Sequence, residues 1–220
     1  MNIVKKIISF VYPIKIKKVP SERSGALEIT LVNGKLVIDS ENANYSYGSL
    51  QKVLKKGLLH IGADKLKKLE NILVLGVAGG SVIQTLRNDF KVNTQITGVE
   101  IDPEIIYLAN EYFKLSNTID LELITADAFE YIKKPHAKYD LIIIDIFNDT
   151  KMPDELFESS FWINIRNNLT NNGLCLFNSI YISKKEAKRN QQLANDLTPF
   201  YSSINRIKTH QINELFVLER

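Results

Sequence analysis

The sequence predicts a doubly wound α/β domain. Its sheet is mostly parallel, with one antiparallel strand at the C-terminal end and a small β-hairpin region in front. Three observations predict it. From Asn71 onward, short apolar runs alternate with segments of helical period, the βα alternation that builds a parallel sheet with helices on both faces. Ahead of that point, Asn33-Gly34 sits between two alternating apolar runs, the strongest short-range hairpin signal. At the far end, two strand-like runs joined by Thr209-His210-Gln211-Ile212-Asn213 read as a second hairpin, which turns one strand against the others.

Taken in order, residues 2–11 read as a short helix, followed by a loop around Pro13 and Pro20 that reaches about residue 24. The run from Ala26 to Ser40 is the hairpin. Tyr47 to Gly62 reads as a helix, with Leu50, Val53, Leu54 and Leu58 at helical spacing and Gly62 just past its end. Residues 1–65 form the N-terminal hairpin and helix region, and residues 66–220 the larger domain. In that domain the expected strands are 72–75, 95–99, 121–125, 139–144 and 174–178. The helices between them are 80–89, 103–113, 127–132, about 155–168 and 183–197, and strands 203–208 and 214–219 close the chain. Ile72 to Leu75 is unbroken apolar sequence, the mark of a strand buried on both faces. Val82, Ile83 and Leu86 then fall on one side of a helix.

Bulk properties narrow the function classes. With 220 residues the chain can hold one α/β domain and a small appendage. No apolar run approaches the roughly 18 residues that would span a bilayer. The first 18 residues have lysines on both sides of a short apolar patch and no small-residue cleavage site, a poor signal peptide. Cys175 is the one cysteine. It lies in the apolar run Leu174–Phe177, so a buried, inert thiol in a reducing cytoplasm is the expectation. Residues 1–70 carry 13 Lys/Arg and 6 Asp/Glu, while residues 71–220 carry 15 and 19. The basic first third reads as solvated lysines. The aromatic-and-basic interleaving of single-strand binders is absent, so neither nucleic acid nor membrane is the expected partner.

In doubly wound sheets ligands sit beyond the carboxyl ends of the strands, near the point where strand order reverses. The first such end is the turn Gly76-Val77-Ala78-Gly79-Gly80. A strand, a tight glycine turn and a helix bring backbone close to a ligand and offer it free N–H groups. The second is Glu100-Ile101, roughly 20 residues on, where two carboxylate oxygens match the vicinal diol of a ribose. Asp102, just before Pro103, is assigned to capping the next helix. The third is Asp127-Ala128, which serves equally as an acceptor for an adenine amine or as an N-cap with Glu130 as capping-box partner. The fourth is Asp145, placed beside the reacting centre, with Phe147, Asn148 and Asp149 opening a loop that runs past Lys151 and Pro153. Residues 147–156 are a candidate lid. Tyr45, Tyr47, Phe147 and Trp162 are candidate pocket walls, although aromatic residues at such positions more often belong to a core. His60, His136 and His210 are scattered and lack metal-ligand spacing, so no metal is expected.

A glycine turn, Glu, Asp and Asp on successive strand ends, as in "ILVLGVAGG", "GVEIDPEII", "ADAFEYI" and "YDLIIIDIFNDTKMPDELF", resemble the Rossmann-like class I S-adenosylmethionine-dependent methyltransferases. More closely they are similar to the spermidine synthase family and its methyltransferase-like members, from about Leu27 to Leu218. The resemblance implies an adenosine seated by Gly76, Val77, Gly79, Gly80, Glu100, Ile101, Asp127 and Ala128. It implies Asp145 at the chemistry as general base or orienter of an amine, and Tyr47, Asn148 and Asp149 toward the acceptor. It also implies that a homodimer is common.

Two donors fit that frame. The true synthases carry an aspartate where Gly79 stands, and it meets the amine of decarboxylated S-adenosylmethionine. An aspartate about 4 Å from the carboxylate of the intact donor would cost on the order of 4 kcal/mol at an effective dielectric near 20, a penalty that glycine removes. The family's Tyr-His-Glu run is reduced here to Tyr45 or Tyr47 without the His-Glu, and Asn148 replaces a second acid three residues after Asp145. An acceptor site so short of charge suits a polyamine poorly. The expectation is therefore a methyltransferase using intact S-adenosylmethionine on a small-molecule acceptor the sequence does not specify. The alternative is a polyamine aminopropyltransferase using the decarboxylated donor. From another class comes a non-catalytic donor-binding module. A nicotinamide dinucleotide enzyme is disfavoured, because the full G-x-G-x-x-G spacing is missing and Asp145 has no role in hydride transfer.

Overall fold

The computed structural model describes residues 3–40, 44–46, 49–134, 137–148, 151–209 and 212–220. Tyr47, His136, Asp149 and His210 lie outside the described residues, as does the side chain of Tyr45. Two sheets make up the chain. The smaller is antiparallel, in the order β1 (Ile14–Ser21), β2 (Gly25–Val32), β3 (Lys35–Ser40), β4 (Asn44–Ser46). Asn33 and Gly34 both take positive φ, 50° and 73°, as a two-residue hairpin turn requires. A short helix, α1 (Ile3–Ile8), precedes this sheet. Just past α1, Ser9 holds the hairpin tip: its carbonyl accepts from Asn33 N–H at 2.8 Å and its hydroxyl from Gly34 N–H at 2.9 Å.

β1 occupies the segment expected to be a loop. Ile14-Lys15-Ile16-Lys17 alternates, but Pro13 and Pro20 mask the pattern. Pro20 is tolerated because β1 is an edge strand, where a missing N–H leaves no ladder bond unmade.

The larger domain runs α2 (Ser49–Ile61), α3 (Ala63–Leu66), β5 (Asn71–Leu75), α4 (Ser81–Asn88), β6 (Gln95–Glu100), α5 (Pro103–Phe113), β7 (Leu121–Thr125) and α6 (Ala128–Lys133). It continues through β8 (Tyr139–Ile144), α7 (Ser159–Asn168), β9 (Leu169–Ile180), α8 (Lys184–Leu197), β10 (Ser203–Lys208) and β11 (Asn213–Glu219). The sheet order is β10-β11-β9-β8-β5-β6-β7. β5 to β9 pair in parallel, and β11 runs against both of its neighbours. Strand order reverses between β5 and β8, so the crevice of such a sheet opens above these two strands.

Alternation along the strands feeds two cores. Ile142 and Ile144 pack with Trp162, Phe177 and Phe216 under α6, α7 and α8. Leu141 and Ile143 pack with Leu176, Leu215 and the α2 residues Val53, Leu54 and Leu58. A third cluster joins the smaller sheet (Leu27, Ile29, Ile38) to α5 (Ile105, Leu108).

Two boundaries differ from expectation for local reasons. The helix expected over 155–168 is a 3₁₀ turn at Asp154–Phe157 followed by α7, the two separated by the extended Glu158. β9 begins earlier than 174, because Thr170 to Gly173, turn-like in sequence, are accommodated at a register shift against β8. Among the described residues, no helix is long and apolar enough to cross a membrane.

Candidate active site

The carboxyl ends of β5, β6, β7 and β8 converge, and backbone bonds lock them together. Gly76 N–H donates to Val99 O at 2.9 Å, Asp145 N–H to Leu75 O at 2.9 Å and Ala126 N–H to Glu100 O at 3.0 Å. Glycine is required at position 76. Its φ is +86°, and a Cβ there would stand 2.2 Å from the carbonyl oxygen of Asp145. Ala78 takes a left-handed φ of 47°. Gly80, at φ +78°, caps α4 and packs so tightly on Leu115 that a Cβ would come within 2.6 Å.

Glu100 is 8% exposed, and its carboxylate braces this turn. Oε2 accepts from Val77 N–H at 3.1 Å and Ala78 N–H at 3.0 Å, while Oε1 accepts from Ile101 N–H at 2.9 Å and Asp102 N–H at 3.2 Å. Burial pushes its pKa up, against the pull of these N–H groups. The sequence reading gave Glu100 to a ribose and did not foresee the brace.

Asp102 caps α5 as expected, accepting from Glu104 N–H at 2.9 Å. It does more: its other oxygen accepts from the hydroxyls of Ser21 at 2.5 Å and Ser24 at 2.7 Å. The β1–β2 turn is thereby hooked to the larger domain beside Glu100, a contact across about 80 residues that no local pattern announces.

Asp127 caps α6, with both cap bonds on Oδ1, from Phe129 N–H at 2.7 Å and Glu130 N–H at 3.3 Å. The expected capping box is not what Glu130 makes; its carboxylate pairs with Lys133 at 2.6 Å. Ala128 is buried behind the cap.

Asp145 leaves the end of β8 at the switch point. The residue is half-buried, and desolvation pushes its pKa up to about 6. A hydrogen bond from Asn178 Nδ2 to Oδ1, 2.8 Å, pulls the other way, and the charge of Glu100 adds to the rise. Asn178 of β9 is in turn held by Asn213 of β11, whose Nδ2 donates to Asn178 Oδ1 at 3.1 Å. Neither asparagine is a site candidate from the sequence, where Asn213 figures only as part of the connector between the last two strands.

Of the remaining candidates, Asn148 is exposed. It makes a paired backbone bridge with Lys151, 2.8 and 3.0 Å, at the root of the loop beyond Asp145. Phe147 is half-buried. Trp162 belongs to the core, the commoner place for such an aromatic, and not to a pocket wall: it is 1% exposed, donates to Leu156 O at 2.8 Å and stacks edge-on with Phe177. The candidate lid is also curtailed, because Met152 packs under Ile180 N–H (3.2 Å) and Leu156 is buried. Cys175 is fully buried, and burial raises its pKa. Concavities elsewhere are less suited. One, lined by Lys68, Glu70, Asp140 and Thr170, lies at the amino ends of the strands. Another lies between His60 and Glu219, beside the C-terminus of α2.

An α/β sheet of this order, with a glycine turn and acids on successive strand ends, defines the Rossmann-like fold of S-adenosylmethionine-dependent transferases. Solved structures agree on the fold. A spermidine synthase in complex with the transition-state analogue AdoDATO superposes with a TM-score of 0.72, at 16% identity, over 93% of this chain and 73% of that one. Human methyltransferase-like protein 13, in complex with SAH, gives 0.66, at 22% identity, over 78% and 82%. The spermine/spermidine synthase domain profile matches residues 51–211, and the chain belongs to that family.

Two relatives are a probable polyamine aminopropyl transferase of Bifidobacterium longum and the polyamine aminopropyltransferase of Vibrio vulnificus. The first is 30% identical over 61% of this chain, the second 32% over 53%. The matches span 30% and 40% of those proteins' own lengths. These relatives overturn the methyltransferase expectation. It rested on Gly79 and Asn148, two missing acids, whereas the relatives carry the name of the other chemistry. Glu100, Asp127 and Asp145 still stand on the strand ends, so two missing acids do not by themselves exclude a cationic donor.

Proposed function

We propose that the chain is an aminopropyltransferase, moving the aminopropyl group of decarboxylated S-adenosylmethionine to a small-molecule amine. The observation that carries this reading is the match to the spermine/spermidine synthase domain over residues 51–211, which encloses every strand end described above. The electrostatics support it. The decarboxylated donor carries a sulfonium and an ammonium but no carboxylate, and a polyamine acceptor is cationic too. An edge bearing Glu100, Asp127 and Asp145 attracts both.

In this reading Gly76, Val77, Gly79, Gly80 and Ile101 supply the close backbone. Glu100 braces the turn and faces the ribose. Asp127, whose cap bonds occupy Oδ1 alone, offers Oδ2 to the adenine amine beside Ala128. The acceptor side is the loop from Phe147 through Asn148 and Asp149, together with Tyr47.

The acceptor nitrogen attacks the carbon next to sulfur. A C–N bond forms, the C–S bond breaks, the electron pair stays on sulfur as a neutral thioether, and the nitrogen sheds one proton. An alkylammonium has a pKa near 10, so delivering its proton to an ordinary carboxylate is steeply uphill. Lifting Asp145 to about 6 narrows that gap by about 3 kcal/mol. Asp145 therefore orients the amine and receives its proton for transfer to water.

Titration calorimetry with both donors tests the reading. Binding of the decarboxylated donor, tighter than that of the intact one, is the expected result. Tight binding of the intact donor with none of the decarboxylated one reverses it. Donor binding without aminopropyl transfer to any di- or polyamine would leave a donor-binding module.

A further inference from the structure

We propose that Asn178 and Asn213 are a positioning pair for the Asp145 carboxylate, fixing its orientation and favouring its charged form, with Asn213 acting only through Asn178. Both asparagines are buried, at 0% and 3% exposure. They sit on the face of β9 and β11 that also carries Leu176 and Leu215. Apolar side chains would fill such positions without the cost of burying two amides, which is offset only when their groups are bonded. The sheet does not need them as a staple, because seven register pairs already join β9 to β11 through the backbone.

The direction of the bonds is informative. An ionised carboxylate only accepts, so the group of Asn178 that meets Asp145 Oδ1 at 2.8 Å is its NH₂. The amide oxygen then points toward β11 and needs a donor, which Asn213 Nδ2 supplies at 3.1 Å. The backbone of Asn213 is itself held, its main-chain carbonyl accepting from Thr209 N–H at 3.0 Å and from the Thr209 hydroxyl at 2.8 Å. A line of donors thus runs from β11 through β9 to the end of β8. It occupies Oδ1 and leaves Oδ2 for the acceptor amine.

Among the described residues, the charged group that acts on Asp145 is Glu100 of β6, and it opposes ionisation. The groups against Asp145 from β5 and β9, the Gly76 turn and Asn178, carry no charge. The asparagine line is the counterweight to Glu100 and to desolvation.

The pair's role in turnover rests on the aminopropyl-transfer reading, but its effect on Asp145 is measured without turnover. In the unliganded wild-type protein, the Asp145 carboxyl carbon and the Asn178 side-chain amide should titrate together in NMR spectra, with a midpoint near 6. In Asn213→Leu the Asp145 midpoint should rise by about one pH unit, and in Asn178→Leu by at least as much. With substrates, the loss of ionised Asp145 alone then lowers kcat roughly twofold at pH 7 and about tenfold at pH 5, with KM for the donor unchanged. The proposal is overturned if the Asn178 amide ignores the Asp145 titration, a test that needs no variant. It is overturned equally if both variants lose thermal stability while the Asp145 midpoint stays put, which marks a purely structural pair. Co-titration in a protein that transfers no aminopropyl group would sink the functional reading and leave the pair standing.

Discussion

Asp145→Asn should make the protein more stable at pH 8 while removing its activity. The reasoning is linkage. Asp145 has a pKa of about 6 in the folded protein against an ordinary 3.8, so the folded state favours the protonated form. The contribution of this group to stability is fully present below pH 3.8 and is lost as pH rises through 6. At about 1.4 kcal/mol per pH unit, the move from 3.8 to about 6 corresponds to about 3 kcal/mol of destabilisation carried by the charged form at pH 8. Asparagine keeps the shape and still accepts from Asn178, without the charge. Urea unfolding of both proteins at pH 4, 6 and 8 is the assay. The variant should be more stable by as much as about 3 kcal/mol at pH 8, with the advantage shrinking through pH 6 toward zero near pH 4. Its turnover should fall by roughly 10²- to 10⁴-fold, the range for a lost general base. A variant that is less stable at pH 8, or whose advantage does not change with pH, refutes the argument that Asp145 is held charged against desolvation.

Two other substitutions probe the frame around it. Gly76→Ala drives a Cβ into the carbonyl of Asp145 at 2.2 Å and strains a φ of +86°. The two effects together should cost about 3–5 kcal/mol in denaturant unfolding and abolish donor binding; a loss under 1 kcal/mol would mean the turn is slack. Asp102→Ala removes the α5 cap and strands the hydroxyls of Ser21 and Ser24, for about 2–4 kcal/mol. Limited proteolysis should then cut first in the β1–β2 turn, and unchanged protection there would show that the hook carries no load.

The parts of the fold that the sequence announces are those with local causes. The hairpin at Asn33-Gly34 follows from residues that tolerate positive φ. The cap at Asp102-Pro103 follows from an acceptor placed before a residue with no N–H. Strand ends are legible for the same reason: an apolar run that stops at or just before Gly76, Glu100, Asp127 or Asp145 marks where its strand gives out.

What stayed hidden depends on partners far apart in the chain. Asn178 lies 33 residues from Asp145 and 35 from Asn213, and an asparagine inside an apolar strand has no local signature of use. Glu100 matches a diol, but its carboxylate is met first by four N–H groups, two from the glycine turn that folds back on it and two from Ile101 and Asp102. β1 was hidden by Pro20, which is costly only where a neighbour needs its N–H, and the edge position of β1 depends on the whole sheet.

The central claim, aminopropyl transfer at these strand ends, is tested most directly by one incubation. The protein is mixed with intact and decarboxylated S-adenosylmethionine in equal amounts and a panel of di- and polyamines, and the products are identified by mass spectrometry. Amines lengthened by an aminopropyl group, formed at least about a hundredfold more slowly by Asp145→Asn, are the result the account predicts. Methylated amines with no aminopropyl product would contradict it.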